Sequence, residues 1–262
     1  MKPENKTNSQ IAAPVEKVWD YLTKPELLAK WFGDTSNFGP DAPVYMATGD
    51  GDFFAGRVIE WDPGIVLGVR WKFDGCGPEY EVRFSMLRRK QGTELTVQDR
   101  GALSVEEAEC MRVGWSEFLM RCEKSILKNA NTRFNWRKEL IFTLTVAEGK
   151  LDALKAALSD PRWYEASLDG VGAQIEEARE DLILATIRKV NWGETPTHLR
   201  VKFKNIRGVD YAYFTHEGWP DLPGSLGEAE RRRFVSVWLN ALSSFSVDGS
   251  CSRAAVATEA TR

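Results

Sequence analysis

Three side chains in this sequence stand where an acid, a base or an anchoring charge would be useful: Asp99, Arg112 and His216. Asp99 lies in ELTVQDRG, where Leu95, Val97 and Asp99 share one face of an extended chain, because side chains alternate along a strand. A carboxyl on the apolar face orients a ligand or exchanges a proton with it; the competing expectation is a solvated strand end. Arg112 stands beside Met111 and near Trp115 on a helical stretch. Its head can reach a pocket mouth, or its stem can lie along apolar surface. His216 sits in YFTHEGW next to Glu217. Imidazole titrates near neutral pH, but neighbours on a strand face opposite ways, so Glu217 does not automatically orient it. Glu60, in GRVIE, reads as structural. No Gly-Xaa-Ser-Xaa-Gly elbow or phosphate loop occurs, and GDGDF (49–53) is too short for a calcium loop. With two histidines and four scattered cysteines lacking a CxxC pair, free thiols and a reducing compartment are expected, and neither a metal nor a cofactor is.

The elements that must position these groups follow from hydrophobic period. NSQIAA (8–13) reads as a strand, and Pro14 then starts a helix carrying Val15, Val18, Trp19 and Leu22. PELLAKWFG is a second short helix, and 34–52, rich in Gly, Pro and Asp, reads mostly as loop. Strands follow at 53–61, 65–73, 80–87 and through ELTVQDRG, with apolar and polar residues alternating along 65–73 and 80–87 and Leu95, Val97 and Asp99 sharing one face. This is an antiparallel meander with one apolar face. After Ser104, a plausible N-cap, a long helix runs to about Lys128 with an apolar stripe at Val105, Ala108, Met111, Trp115, Phe118, Leu119, Cys122 and Ile126. Stripe against sheet face is the economical burial. Between them, Trp31, Phe32, Phe54, Trp71, Phe73, Tyr80, Phe84, Trp115, Phe118 and Leu119 would line a ligand cavity or pack as a dry core.

The plan then restarts. KNANTRFNWRK (128–138) lacks period and reads as a linker; ELIFTLTV (139–146) alternates as a strand. Leu151, Leu154, Leu158 and Pro161 repeat Val15, Val18, Leu22 and Pro25 at a constant offset of 136. EDLILATIRKV, THLRVKF and VDYAYFTHEG are further strands, and a closing helix places Trp238 and Leu242 as echoes of Trp115 and Leu119. The expected division is a first domain 8–128, a linker 129–138, a divergent second copy 139–247 and a disordered tail 248–262.

A net charge of −3 implies no large basic field, so nucleic acid is not an expected partner. The short clusters Arg88-Arg89-Lys90 and Arg231-Arg232-Arg233 read as solvated surface. No apolar run approaches the ~20 residues of a membrane span. MKPENKTNSQ has no apolar signal core, so a cytoplasmic location is expected.

IAAPVEKVWDYLTKPELLAKWFG, GDGDFFAGRVIEWDPGIVLGVRWKF and GWSEFLMRCEKSI together resemble the SRPBCC or START-like proteins. The branch is the one named after the activator of the ninety-kilodalton heat-shock protein ATPase, with Trp31-Phe32 where that family often has two tryptophans. The resemblance covers 8–127 well and 139–247 loosely. It implies an α+β helix-grip fold: a curved antiparallel sheet wrapped around a long C-terminal helix, in two tandem copies. In such relatives the enclosed cavity binds lipids, sterols, polyketides or hormones, and some catalyse cyclisation or dehydration. The resemblance therefore implies binding of a small hydrophobic or amphipathic molecule, without evident catalytic machinery. The alternatives are a polyketide cyclase-like enzyme (cyclase, dehydratase or hydrolase) using Asp99, Arg112 or His216, and a module that binds a protein partner such as a chaperone; the namesake's N-terminal domain is not recognisable in this chain.

Overall fold

A computed structural model of the chain describes residues 4–35, 38–48, 51–101, 105–133 and 138–247. The first half contains β1 (Glu4–Ile11), α1 (Val15–Thr23), α2 (Pro25–Leu28), β2 (Asp34–Thr35), β3 (Pro43–Ala47), β4 (Phe53–Asp62), β5 (Val66–Phe73), β6 (Glu79–Arg89), β7 (Gly92–Arg100) and α3 (Val105–Lys128). The strands form one seven-stranded antiparallel sheet in the order β1-β7-β6-β5-β4-β3-β2. The meander gives neighbouring strands by chain order, and β1 returns to pair with β7, Asn5 opposite Asp99 and Ile11 opposite Thr93. The α3 stripe (Trp115, Leu119, Cys122 and Ile126) buries against the inner sheet face in one core with Val69, Trp71, Phe84 and Val97.

The second half repeats the plan: β8 (Leu140–Thr145), α4 (Leu151–Leu158), α5 (Pro161–Ser167), β9 (Gly172–Ala178), β10 (Leu182–Arg188), β11 (Thr197–Ile206), β12 (Val209–Glu217) and α6 (Leu226–Leu242). Its sheet order, β8-β12-β11-β10-β9, is that of the first sheet without the β3 and β2 edge. Helix starts recur at the offset seen in sequence, Val15 with Leu151 and Pro25 with Pro161.

Several local expectations change. β1 begins at Glu4, because its ladder with β7 runs out to Arg100. β3 lies in the stretch expected to be mostly loop: Val44 and Met46 face the core while the strand pairs with β4, which outweighs the flanking Gly and Pro. β9 is a further strand that sequence period did not reveal. Its residues are mostly exposed, so no apolar alternation marks it. Val105 is 78% exposed and lies outside the α3 stripe. The segment after α3 is docked rather than free: Thr132 N–H donates to Lys30 O at 2.7 Å and Ser125 Oγ to Ala130 O at 2.8 Å. Ser104, residues 134–137 and the tail lie outside the described residues.

The two halves are joined through buried groups. Arg231, expected at the surface, is 0% exposed and donates to Asp52 Oδ2 at 3.0 Å and to Glu139 O at 3.0 Å. The reason is tertiary: the loop before β4 folds onto α6 and brings a carboxylate to this one arginine, while Arg232 reaches Glu228 on the exposed face. Gly51 makes that approach feasible. It has φ +95°, and a Cβ there would stand 2.8 Å from Arg232 O. Phe53 and Cys76 belong to the core of the second half, and Thr145 N–H donates to Cys76 O at 2.8 Å. Cys76, Cys110 and Cys122 are free thiols.

Candidate functional site

The aromatic residues singled out in the first half do meet. Phe32 is the hub, with ring centroids 5.2 Å from Trp31, 5.5 Å from Phe54, 5.8 Å from Trp71 and 4.9 Å from Phe118. Phe54 also contacts Trp71 and Phe73 at 4.9 and 5.3 Å. Trp115 bridges Phe84 at 5.5 Å and Phe118 at 5.6 Å. Leu119 is buried in the same core. Trp31, Phe32, Trp71 and Phe84 are buried, whereas Phe54, Phe73 and Phe118 are only partly so and form its rim. Such edge-to-face and tilted contacts favour a packed aromatic wall.

Beside this wall lies a polar patch. Asp99 is 1% exposed, and Trp115 Nε1–H donates to its Oδ2 at 2.6 Å. The strand parity of Asp99 thus outweighs its position near a strand end, because α3 crosses over it. Asn5 is its direct cross-strand partner, and Thr7 follows on the same face of β1. Asp99 Oδ1, both amide atoms of Asn5 and Thr7 Oγ1 are buried with no hydrogen-bond partner among the described residues. Tyr80 borders the patch, its hydroxyl donating to Glu107 Oε1 at 2.6 Å. Burial first, and then the Glu107 charge, push the Tyr80 phenol well above its ordinary range.

Burial raises the Asp99 pKa from 3.8 to about 6, opposed by the Trp115 hydrogen bond and assisted by the Glu107 charge. The folded protein therefore holds this proton more tightly than the unfolded chain does. Stability then falls as pH rises from about 4 to about 6. A shift of roughly two units corresponds to about 3 kcal/mol. His216 has the opposite sign: burial first, and then His198, lower it from 6.5 to about 3, so stability falls as pH drops through that window. The two slopes oppose each other between about pH 4 and 6. Asp99→Asn is expected to gain about 1–3 kcal/mol near pH 8 and to expose the uncompensated acid loss due to His216. Urea midpoints across pH read both effects; an unchanged profile would place Asp99 in contact with water.

His216 is in the core of the second half, not with Asp99. Trp238 Nε1–H donates to its Nδ1 at 3.1 Å, which puts the ring proton on Nε2, 2.8 Å from Thr197 Oγ1. Both ring nitrogens are used. This arrangement is the counterpart of the first site. Asp99 and His216 each stand one residue before the end of the last strand, opposite Val82 and Leu199, and each accepts from the tryptophan of the closing helix. Thr197 holds the place of Tyr80, two residues before those partners. In the second copy Thr197 meets the strand residue; in the first, Tyr80 turns to Glu107 and Asp99 keeps an open oxygen.

Arg112 stays on the exposed face of α3 in an ion pair with Glu109. Glu60 pairs with Arg83 across the outer sheet face. Asn5 and Thr7 escaped the sequence because ENKTNSQI is polar at nearly every position, so its inner face shows no contrast; the alternation Asn5, Thr7, Ser9, Ile11 was the available signal. A separate cleft of about 770 Å³ lies on the outer face of the first sheet, bordered by Glu4, Arg100, Thr145 and Tyr211.

The model of the family described as Activator of Hsp90 ATPase homolog 1-like protein matches residues 12–125. No curated protein matches the sequence. Among solved structures, DynU16, a protein of the dynemicin biosynthetic locus, is 24% identical with a TM-score of 0.79, covering 92% of this chain and 96% of its own. MLL2253 from Mesorhizobium loti is 21% identical with a TM-score of 0.44, covering 48% of this chain and 98% of its own. CalU16 from Micromonospora echinospora is 22% identical with a TM-score of 0.41, covering 47% of this chain and 73% of its own. The likeness to DynU16 runs through both halves and is one of fold. Over residues 12–125 the first half is thus similar to the Activator of Hsp90 ATPase homolog 1-like family, and the second half repeats its helix-grip plan.

Proposed function

We propose that the first copy binds one small amphipathic molecule between α3 and its sheet, and that the second copy serves as scaffold. One observation carries this reading: buried polar atoms of Asn5, Thr7 and Asp99 share one patch without partners among the described residues. Each such atom costs about 1–3 kcal/mol when left unpaired, so a patch of them favours an incoming group that can donate and accept. Aromatic walls beside a few convergent polar groups are the usual make-up of a small-molecule site. The ligand's apolar body would lie against Phe32, Trp71, Phe84 and Trp115, entering past the rim rings Phe54, Phe73 and Phe118. Its hydroxyl, amide or amine would meet Asp99 and Asn5. In the second copy the corresponding histidine has both nitrogens paired, which supports a structural role there.

A second reading is favoured by the Asp99 pKa of about 6. A carboxyl that titrates near neutrality inside an apolar site is suited to proton transfer, as cyclisation or dehydration of a natural product requires. DynU16 is a protein of the dynemicin biosynthetic locus, which makes biosynthetic natural products a sensible part of any probe panel.

Native mass spectrometry of protein purified from its own host, followed by denaturing extraction, is the direct test. A bound small molecule at stoichiometric occupancy is expected. Its affinity should fall about tenfold or more, at least 1.4 kcal/mol, in Asp99→Leu and in Trp115→Phe. An empty spectrum, with no tryptophan-fluorescence response to lipids and polyketides, would overturn the binding reading. Product formation that is lost in Asp99→Asn with binding retained would replace it by the enzymatic one.

A further inference from the structure

The outer face of the second sheet differs from that of the first in how its cations are used. On the first sheet they are matched across strands: Arg70 with Glu79 and Glu81, Arg83 with Glu60, and Arg100 with Glu4. On β11 of the second sheet, Arg200, Lys202 and Lys204 alternate with buried Leu199, Val201 and Phe203, so all three cations point outward and are exposed. Arg200 occupies the place of Arg83, next to the residue opposite the helix-bound strand side chain. Arg83 has its glutamate, whereas Arg200, Lys202 and Lys204 enter no ion pair among the described residues. Their cross-strand neighbours are uncharged: Thr215, Tyr213 and Tyr211 on β12, with Leu184 and Leu182 opposite Arg200 and Lys202 on β10. Aligned like charges on one strand repel one another, so this row costs free energy in the isolated protein.

We propose that this row is a docking surface for an extended, acidic protein segment bearing carboxylates at alternate positions. The spacing and the charge of the row fit that partner. Alternate residues of a strand recur at about 6.6 Å, so an extended peptide laid along β11 can place one carboxylate over each cation. A single-stranded nucleic acid would need open aromatic faces for its bases, yet Lys204 Nζ already covers the Tyr213 ring at 5.7 Å from its centroid. The surface lies on the half that we read as scaffold, and this proposal is independent of any ligand bound in the first copy.

The test is fluorescence anisotropy on the full chain with three labelled probes: a peptide of alternating Glu and Thr, its isomer with the Glu residues in one block, and an oligothymidylate. The alternating peptide is expected to bind tightest. Its affinity should fall about tenfold or more in Arg200→Glu/Lys202→Glu, fall less in Arg200→Gln/Lys202→Gln, and weaken with added salt. Thermal melts check that both variants fold, which their exposed, unpaired side chains favour. No binding of the alternating peptide, equal binding to a folded variant, equal binding of the block isomer, or tighter binding of the oligothymidylate would each overturn the proposal.

Discussion

Asp52→Ala is expected to lower folding stability by about 3–5 kcal/mol, the usual cost of leaving one partner of a buried ion pair uncompensated. Arg231 and Asp52 are 0% and 1% exposed at their side chains, so water does not stand in for the lost carboxylate. The Glu139 carbonyl remains as an acceptor, but it carries no charge to balance the guanidinium. The charge pair lies where the loop before β4 meets α6, and the damage should therefore fall on the junction of the halves. With two separate cores, the wild type is expected to unfold in one coupled transition, and the variant in two better-resolved ones. Arg231→Met paired with Asp52→Ala should recover much of the loss, because an apolar pair of similar volume avoids the desolvation cost. Urea unfolding of the four proteins of that cycle measures the coupling. A loss below about 1 kcal/mol would mean that the pair is hydrated and that the junction rests on Phe53 and Cys76.

Trp238→Ala should be comparably severe, about 3–5 kcal/mol from the cavity alone. Trp238 is fully buried, with its ring near Phe142, Phe214 and Tyr164. It also supplies the N–H that His216 Nδ1 accepts. Trp238→Phe keeps most of the apolar contact and removes only that donor, so it isolates the orphaned nitrogen, at about 1–3 kcal/mol. Without its donor, Nδ1 becomes the site where a proton can be gained in the folded state, and the variant should lose stability less steeply than wild type as pH falls below about 6.5. Near-UV circular dichroism combined with urea midpoints at two pH values separates the two contributions. If Trp238→Phe matched wild type at every pH, the indole–imidazole bond would contribute nothing and the tryptophan would act by volume only.

The sequence by itself determined the elements whose burial has a period. Strands β5 to β7 alternate along VLGVRWKF and its neighbours, α3 repeats its stripe every 3.6 residues, and the offset of 136 between Pro25 and Pro161 survives in the folded helix starts. Those signals are local, since one side of each element meets a core and the other meets water. The same logic placed Asp99 on the inner face beside Leu95 and Val97. It did not locate β9 or the start of β1, because strands that are mostly exposed, or polar on both faces, carry no contrast. Only the tertiary structure decided that one arginine of Arg231-Arg232-Arg233 is buried, since that depends on where the distant Asp52 arrives. It alone decided that the Asp99 carboxyl meets Trp115 while the corresponding histidine meets Thr197 as well, because a partner's position is set by how the helix crosses the sheet. Identity and period settle which face a residue occupies; whether a polar group there is satisfied depends on groups from other elements, 16 residues away for Asp99 and 179 for Arg231, and packing alone brings those together.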